Sequence, residues 1–226
     1  MRLDQYLAKK RNGLTRAKAQ RAIKLGFVSV NGTLASKPAY LVKDTDTVSI
    51  TNRNIAKMPS GYFKLHEIQG KTQLIKKSDV VLDLASGATG YLLAAAELAK
   101  QVFGVESNKQ FEKPLRVMER KHPNIKITIG DVFTTWPSDI TGGASVDIIL
   151  NDLPSDWKNS IAATHNVLPL LKKDGKVLMT VKQASKQPTN IRTLINAELE
   201  PRGLVIEKVV KLASGKDEFY VILARK

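Results

Sequence analysis

The sequence contains no cysteine. That excludes disulfides, a thiolate nucleophile and most structural zinc sites. Histidine is scarce too. His66, His122 and His165 stand far apart, with no spacing that suggests metal ligation, so no metal site is expected. Long apolar runs are also missing. The opening MRLDQYLAKKRNG has no apolar stretch of signal-peptide length, and no later segment approaches a membrane span. A soluble, cytoplasmic protein with no membrane partner is the expectation. Acidic residues are the minority charge, 21 Asp and Glu against 36 Lys and Arg, which leaves a net +15 on 226 residues. Such an excess points to a polyanionic partner, because each phosphate neutralised releases condensed counterions.

The positive charge is concentrated at the front. Residues 1–50 hold ten basic and three acidic residues, so seven of the fifteen net charges fall there. Leu3, Tyr6 and Leu7 have helical spacing. Thr15 suits the cap of a second helix, with Ala19, Ala22 and Ile23 on one side and Lys18, Arg21 and Lys24 on the other. Gly26 supplies the stop. Phe27-Val28-Ser29-Val30 alternates as a strand, Asn31-Gly32 is a hairpin turn, and Thr47–Thr51 fits a further strand. The strings RLDQYL, TRAKAQRAI and GFVSVNG resemble the αL RNA-binding domain named after ribosomal protein S-four, a small α+β unit. The resemblance covers residues 1–50 and includes Arg2, Asp4, Arg16, Gly26, Val30, Asn31 and Gly32. It implies that Arg2, Arg16, Lys18 and Arg21, joined by Lys37, form a face for structured RNA, where phosphate contacts position the protein without reading bases.

Residues 51–60, TNRNIAKMPS, read as a linker, and from 61 to 226 strands alternate with helices. A helix is expected from Tyr62 to about Gln69. Strands are expected at 80–82, 102–105, 125–129, 146–150, 175–181, 204–212 and 218–223. Helices fit between most of them, notably Gly90–Lys100 and Pro188–Pro201. This order predicts an α/β, Rossmann-like doubly wound sheet. The short turn Ala213-Ser214-Gly215-Lys216 predicts that the last strand runs antiparallel.

In VVLDLASGATGY an apolar strand leads through Asp83, Gly87, Gly90 and Tyr91 into a helix, a turn at which a ligand approaches backbone closely. The pattern G-x-G-x-x-G of dinucleotide binders is missing, since residue 85 is alanine. An acidic strand end suits a sulfonium ligand with an amino-acid tail better than a pyrophosphate. Glu106 ends the second strand, where a carboxylate accepts hydrogen bonds from a ribose diol. Asp131, after the third, suits an adenine amine. These positions favour S-adenosylmethionine.

Four charged residues stand at unusual places: Lys64 in the helix before the first strand, Asp152 ending the fourth strand, Lys182 ending the fifth, and Glu218 opening the last. Strand ends at the carboxyl edge of a parallel sheet are where ligands bind, and a reversed last strand brings Glu218 to that edge. A ribose 2′-hydroxyl needs its proton removed to become a nucleophile. A lysine does this only where burial or a second ammonium lowers its pKa. Asp152 would orient such a base, while Lys64 and Glu218 set the local charge.

FKLHEIQ, DLASGATGY, NDLP, TVKQ and DEFYVILA resemble successive motifs of the FtsJ (RrmJ) family of ribose 2′-O-methyltransferases, over nearly all of residues 61–226. The resemblance implies a Lys-Asp-Lys-Glu tetrad at Lys64, Asp152, Lys182 and Glu218. It also implies cofactor contacts from the glycine loop with Tyr91 and from Glu106, Asp131 and Asp152. The loop departs from the family in carrying Ala88 in place of proline and Thr89 in place of glycine. The two-domain order also resembles the TlyA proteins, called haemolysins but similar to rRNA 2′-O-methyltransferases. Structured RNA, ribosomal RNA or ribosomal subunits above all, is the partner implied.

Three other readings compete. A base-directed amino methyltransferase would use Asn151-Asp152-Leu153-Pro154, but Leu153 and Ser155 stand where a proline and a stacking aromatic belong, and the two lysines go unexplained. A non-catalytic RNA-binding or assembly factor with a decayed pocket fits the altered loop and not the complete tetrad. A membrane-active haemolysin lacks an amphipathic or spanning segment.

Overall fold

The computed structural model describes residues 1–10, 14–51, 54–153, 156–182, 191–212 and 218–226. The front of the chain folds as α1 (Leu3–Lys10), α2 (Arg16–Lys24), β1 (Val28–Val30), β2 (Thr33–Leu34) and β3 (Val48–Ile50). Thr15 caps α2, its side chain accepting from Lys18 N at 3.3 Å. The strands form an antiparallel sheet in the order β2-β1-β3. Asn31 and Gly32 turn the hairpin with φ of 51° and 78°, both left-handed, which is why this dipeptide signals the turn so strongly.

The following segment packs against its surroundings. Ile55 is buried in a single 3-10 turn (Ile55–Lys57), and Lys18 Nζ donates to Ala56 O at 2.7 Å. Next come α3 (Ser60–Thr72), β4 (Val80–Leu84), α4 (Gly90–Leu98), β5 (Gln101–Glu106), α5 (Glu112–Lys121), β6 (Ile125–Ile129) and α6 (Pro137–Thr141). The chain closes with β7 (Val146–Asn151), α7 (Trp157–Val167), β8 (Leu171–Lys182), α8 (Ile191–Leu199), β9 (Leu204–Val210) and β10 (Glu218–Arg225). The turn expected at 213–216 and the helix start expected at 188–190 lie outside the described residues.

The seven-stranded sheet has the order β6-β5-β4-β7-β8-β10-β9. From β6 to β8 all pairings are parallel, and β10 runs antiparallel to both β8 and β9, as the sequence predicts. The chain winds outward from β4 through β5 to β6, then returns to β7 on the other side of β4. The carboxyl ends of β4 and β7 therefore flank a topological switch point, the place where doubly wound sheets bind ligands.

Strand residues alternate between two cores with a period of two. Val81, Ile148, Leu150, Leu178, Tyr220 and Ile222 join one cluster; Leu82, Ile149, Val177, Met179, Val221 and Leu223 join the other. The first cluster is continuous with the core of the N-terminal domain, through Leu3, Leu7, Ile23 and Val28. Phe27 meets this junction, its ring 6.0 Å from that of Tyr62 and 5.3 Å, edge-on, from His66. Tyr62 and His66 share one face of α3, and Lys64 is turned roughly 200° from Tyr62. One helix thus touches the N-terminal domain on one side and presents Lys64 on another. No described helix is long and apolar enough to cross a membrane.

Candidate active site

The loop after β4 is built on two left-handed residues that are not glycine, Ala85 (φ 59°) and Thr89 (φ 55°), around a 3-10 turn at Ser86–Ala88. A β-branched residue there is strained. Thr89→Gly is therefore expected to raise unfolding stability by up to about 1 kcal/mol, the relief exceeding the entropy glycine adds to the unfolded chain. Urea melts monitor it; an unchanged or lower midpoint would mean that Thr89 carries no strain.

True glycines stand where backbones or side chains crowd. A Cβ on Gly87 would lie 2.7 Å from Glu106 Oε2 and 2.5 Å from the Phe111 ring. A Cβ on Gly90 would lie 2.7 Å from Tyr62 N and 2.9 Å from Gly61 Cα. At Gly90 helices α3 and α4 meet backbone to backbone, which brings the helix carrying Lys64 beside the loop.

Asp83, one residue before the end of β4, is only 2% exposed, between Gly104 of β5 and Leu150 of β7. Burial pushes its carboxyl up to about 8, against the Ser86 hydroxyl, with the charges of Asp152 and Glu106 pushing the same way as burial. Glu106, at the end of β5 and also buried, is held by two amides: Gly87 N donates to Oε2 and Asn108 N to Oε1, both at 2.7 Å. Asp131 follows β6, exposed, with Oδ1 accepting from Phe133 N at 2.9 Å. It is solvent-facing, whereas Glu106 and Asp152 are close enough to shift the Asp83 carboxyl.

The four charged residues of the expected tetrad converge. Lys64 Nζ lies 2.7 Å from Glu218 Oε1 and donates to Oε2 at 3.0 Å. Glu218 pairs directly across the strands with Lys182, so the antiparallel β10 sets them side by side. Lys182 is exposed and has no hydrogen-bond or ion-pair partner among the described residues. Burial raises the Asp152 carboxyl and Glu218 adds to this, while Lys64, the Thr180 hydroxyl and Lys182 oppose it. For Glu218, burial pushes upward but Lys64, Tyr220 and Lys182 outweigh it, so its carboxyl titrates below the usual range.

Two residues near this cluster, Tyr220 and Thr180, were not anticipated, and Tyr91, expected at the cofactor, lies beside them. The Tyr220 hydroxyl donates to Glu218 Oε1 at 2.5 Å. The signal was present, since residues 218 and 220 of one strand share a face. The Tyr91 and Thr180 hydroxyls are buried close to each other and to Asp152, and neither makes a well-formed hydrogen bond among the described residues. An unsatisfied buried hydroxyl costs about 1–3 kcal/mol, so two together mark a place where a ligand supplies partners. The carboxylate lining repels phosphate and suits a cation bearing sugar hydroxyls.

On the N-terminal domain, Arg2 and Arg16 both reach Asp4, at 3.0 Å each. Lys18 is engaged at the domain junction by Ala56 O, Arg21 is half-buried in the last turn of α2, and Lys37 is exposed in the loop after β2.

Residues 60–224 match the FtsJ-like methyltransferase family, and residues 1–48 match the S4 domain. The chain belongs to the FtsJ-like methyltransferase family and carries an S4 domain ahead of the methyltransferase fold. Among its relatives, "Hemolysin A" of Brachyspira hyodysenteriae is 30% identical over 91 residues, 40% of this chain and 38% of that protein. The chloroplastic RNA pseudouridine synthase 2 of Arabidopsis thaliana is 41% identical over 51 residues, 23% of this chain and 12% of that protein. The chain thus spans well under two thirds of the length of both relatives. A solved structure from Streptococcus thermophilus, named a hemolysin, shares the fold with a TM-score of 0.57 at 18% identity, covering 100% of this chain and 88% of that one.

Proposed function

We propose that the chain transfers a methyl group from S-adenosylmethionine to a ribose 2′-hydroxyl of structured RNA, ribosomal RNA being the favoured class. The observation that carries this reading is the convergence of Lys64, Asp152, Lys182 and Glu218 beside the clustered carboxyl groups at the switch point. S-adenosylmethionine, when bound, supplies an electrophilic methyl group on a cationic sulfur. The residues that would hold it are Asp83, Gly87, Gly90, Tyr91, Glu106, Asp131 and Asp152. The fit rests on the two orphan hydroxyls, the clustered carboxylates and the close approach allowed at Gly87.

The chain's own residues then divide the work. Glu106, fixed by two amides, keeps lone pairs for a ribose diol. Lys64 is committed to Glu218, and Tyr220 holds that carboxylate from the other side. Lys182 has no partner among the described residues and is assigned the base: in its neutral form, once bound RNA covers it, it takes the proton of the RNA 2′-hydroxyl as that oxygen bonds to the methyl carbon and the carbon–sulfur bond breaks. Exposed again once the RNA leaves, it passes the proton on to water. Asp152 orients the lysine and balances its charge. On the N-terminal domain, Arg2, Arg16, Lys18, Arg21 and Lys37 provide the basic face that receives RNA phosphates.

The test is to incubate the chain with methyl-labelled S-adenosylmethionine and unmodified ribosomal RNA, digest to nucleosides and identify the product by mass spectrometry. A 2′-O-methylnucleoside is expected. RNA binding with neither cofactor binding nor transfer would overturn the enzyme reading in favour of a non-catalytic RNA-binding factor.

A further inference from the structure

The N-terminal domain is strongly basic, yet its best-connected polar group is an acid. Asp4, in the first turn of α1, has 0% exposure. Its Oδ1 accepts from Arg2 Nε and from Gln5 N, each at 3.0 Å. Its Oδ2 accepts from Arg2 Nη2 at 3.2 Å, Arg16 Nε at 3.0 Å and Gln20 Nε2 at 2.7 Å. The hydrogen bonds from Arg2, with those from Gln20 and Arg16, hold this carboxyl well below the usual range despite its burial. The donors come from separate places: Arg2 precedes α1, Arg16 opens α2, and Gln20 lies one turn further on.

A buried carboxylate is poor value as a fastener. Replacing a buried ionic cluster by packed apolar residues is commonly neutral or stabilising, because the charge must be stripped of water. What the cluster does achieve is order. Each guanidinium spends part of its fork on Asp4 and has further N–H groups to offer, and the arginine side chains remain 39% and 52% exposed. Two long side chains that would otherwise sample many rotamers are fixed side by side before any partner arrives.

We propose that Asp4 is a positioning residue for RNA: it pre-orders Arg2 and Arg16, with Gln20 beside them, as one paired site for backbone phosphates. The inference rests on reading this face as RNA-binding, and it goes beyond that reading by giving the domain's buried acid the decisive role. Charge alone predicts the opposite sign, since removing an acid from a basic face should tighten RNA binding. Pre-ordering predicts weaker binding, because the freed arginines must be immobilised when phosphate arrives.

The experiment uses the full chain and a fluorescent RNA hairpin at fixed salt. Asp4→Asn is expected to weaken hairpin binding by about three- to tenfold, the scale of one or two pre-ordered charge-assisted contacts. In an Arg2→Ala/Arg16→Ala background, the same change is expected to have no further effect. A purely structural role would instead add its loss in that background. Arg2→Lys/Arg16→Lys keeps Asp4 and the formal charge but removes the fork, and it should weaken binding comparably, which keeps the test open if Asp4→Asn misfolds. Tighter or unchanged binding by a folded Asp4→Asn chain, an additive loss, or full affinity in the double lysine variant would each overturn the positioning role. If Arg2→Ala/Arg16→Ala itself binds the hairpin normally, the RNA-face reading fails first and the proposal with it.

Discussion

Replacing Lys182 by alanine is expected to slow methyl transfer to RNA by about three orders of magnitude, within the range for loss of a general base. Binding of cofactor and RNA should change little. The expectation follows from what each amine is attached to. Lys64 is tied to both oxygens of Glu218 and partly buried, so its loss would also disturb the charge of the cluster. Lys182 reaches the same cluster from the facing strand, is exposed, and has no partner among the described residues, so its removal leaves the Lys64–Glu218–Tyr220 chain standing. Lys182→Arg should be as inactive as the alanine variant, because guanidinium keeps the charge but does not give up its proton. Single-turnover transfer rates, with calorimetric binding of S-adenosylhomocysteine as control, read both effects. Substantial transfer by Lys182→Arg would remove Lys182 from the role of base.

Asp83→Asn is expected to weaken cofactor binding by about a hundredfold, the scale of a lost hydrogen bond to a charged group, while stabilising the free protein in alkali. The two effects share one cause. Asp83 ionises at about 8 in the folded chain because it is buried, whereas an unfolded aspartate ionises near about 4. Between those values the folded state keeps a proton that the unfolded state has released. Stability of the free protein therefore falls as pH rises from about 4 to about 8 and levels off above. Asparagine removes this dependence, so the variant should melt later than the parent near about pH 9 and almost equally near about pH 4. A cationic ligand favours the ionised carboxylate. Cofactor binding should accordingly release up to one proton in that window, seen as heats that differ between buffers of different ionisation enthalpy. Undiminished binding by Asp83→Asn, or no proton release, would place the cationic part of the ligand elsewhere.

The order of strands and helices was legible because each buried strand is a short apolar run bounded by polar residues, as at Val80–Leu84 and Val146–Asn151. The reversed final strand was legible from the shortness of its connection. Lys64, Asp152, Lys182 and Glu218 stood out because they interrupt apolar patterns or sit at strand ends. The hidden parts depend on long-range pairing. Thr180 read as an ordinary core residue, and only the folded chain leaves its hydroxyl, with that of Tyr91, buried beside Asp152 without a well-formed hydrogen bond among the described residues. Phe27 read as a strand residue, yet it packs on α3 and joins the two domains. Ala85 and Thr89 gave no sign of left-handed backbone, since sequence marks that conformation mainly through glycine. Asp4 belonged to a recognisable motif, but its grip on three side chains from separate turns appears only in three dimensions.

Ribose transfer is tested most directly by treating the RNA with alkali after reaction with methyl-labelled S-adenosylmethionine. Alkaline cleavage needs a free 2′-hydroxyl as internal nucleophile, so a methyl group on that oxygen protects the adjacent phosphodiester. Label is expected in alkali-resistant dinucleotides, and no labelled dinucleotide should form with the Lys182→Ala variant. Label recovered in mononucleotides would mean transfer to a base, and would contradict the role assigned here to Lys64, Asp152, Lys182 and Glu218.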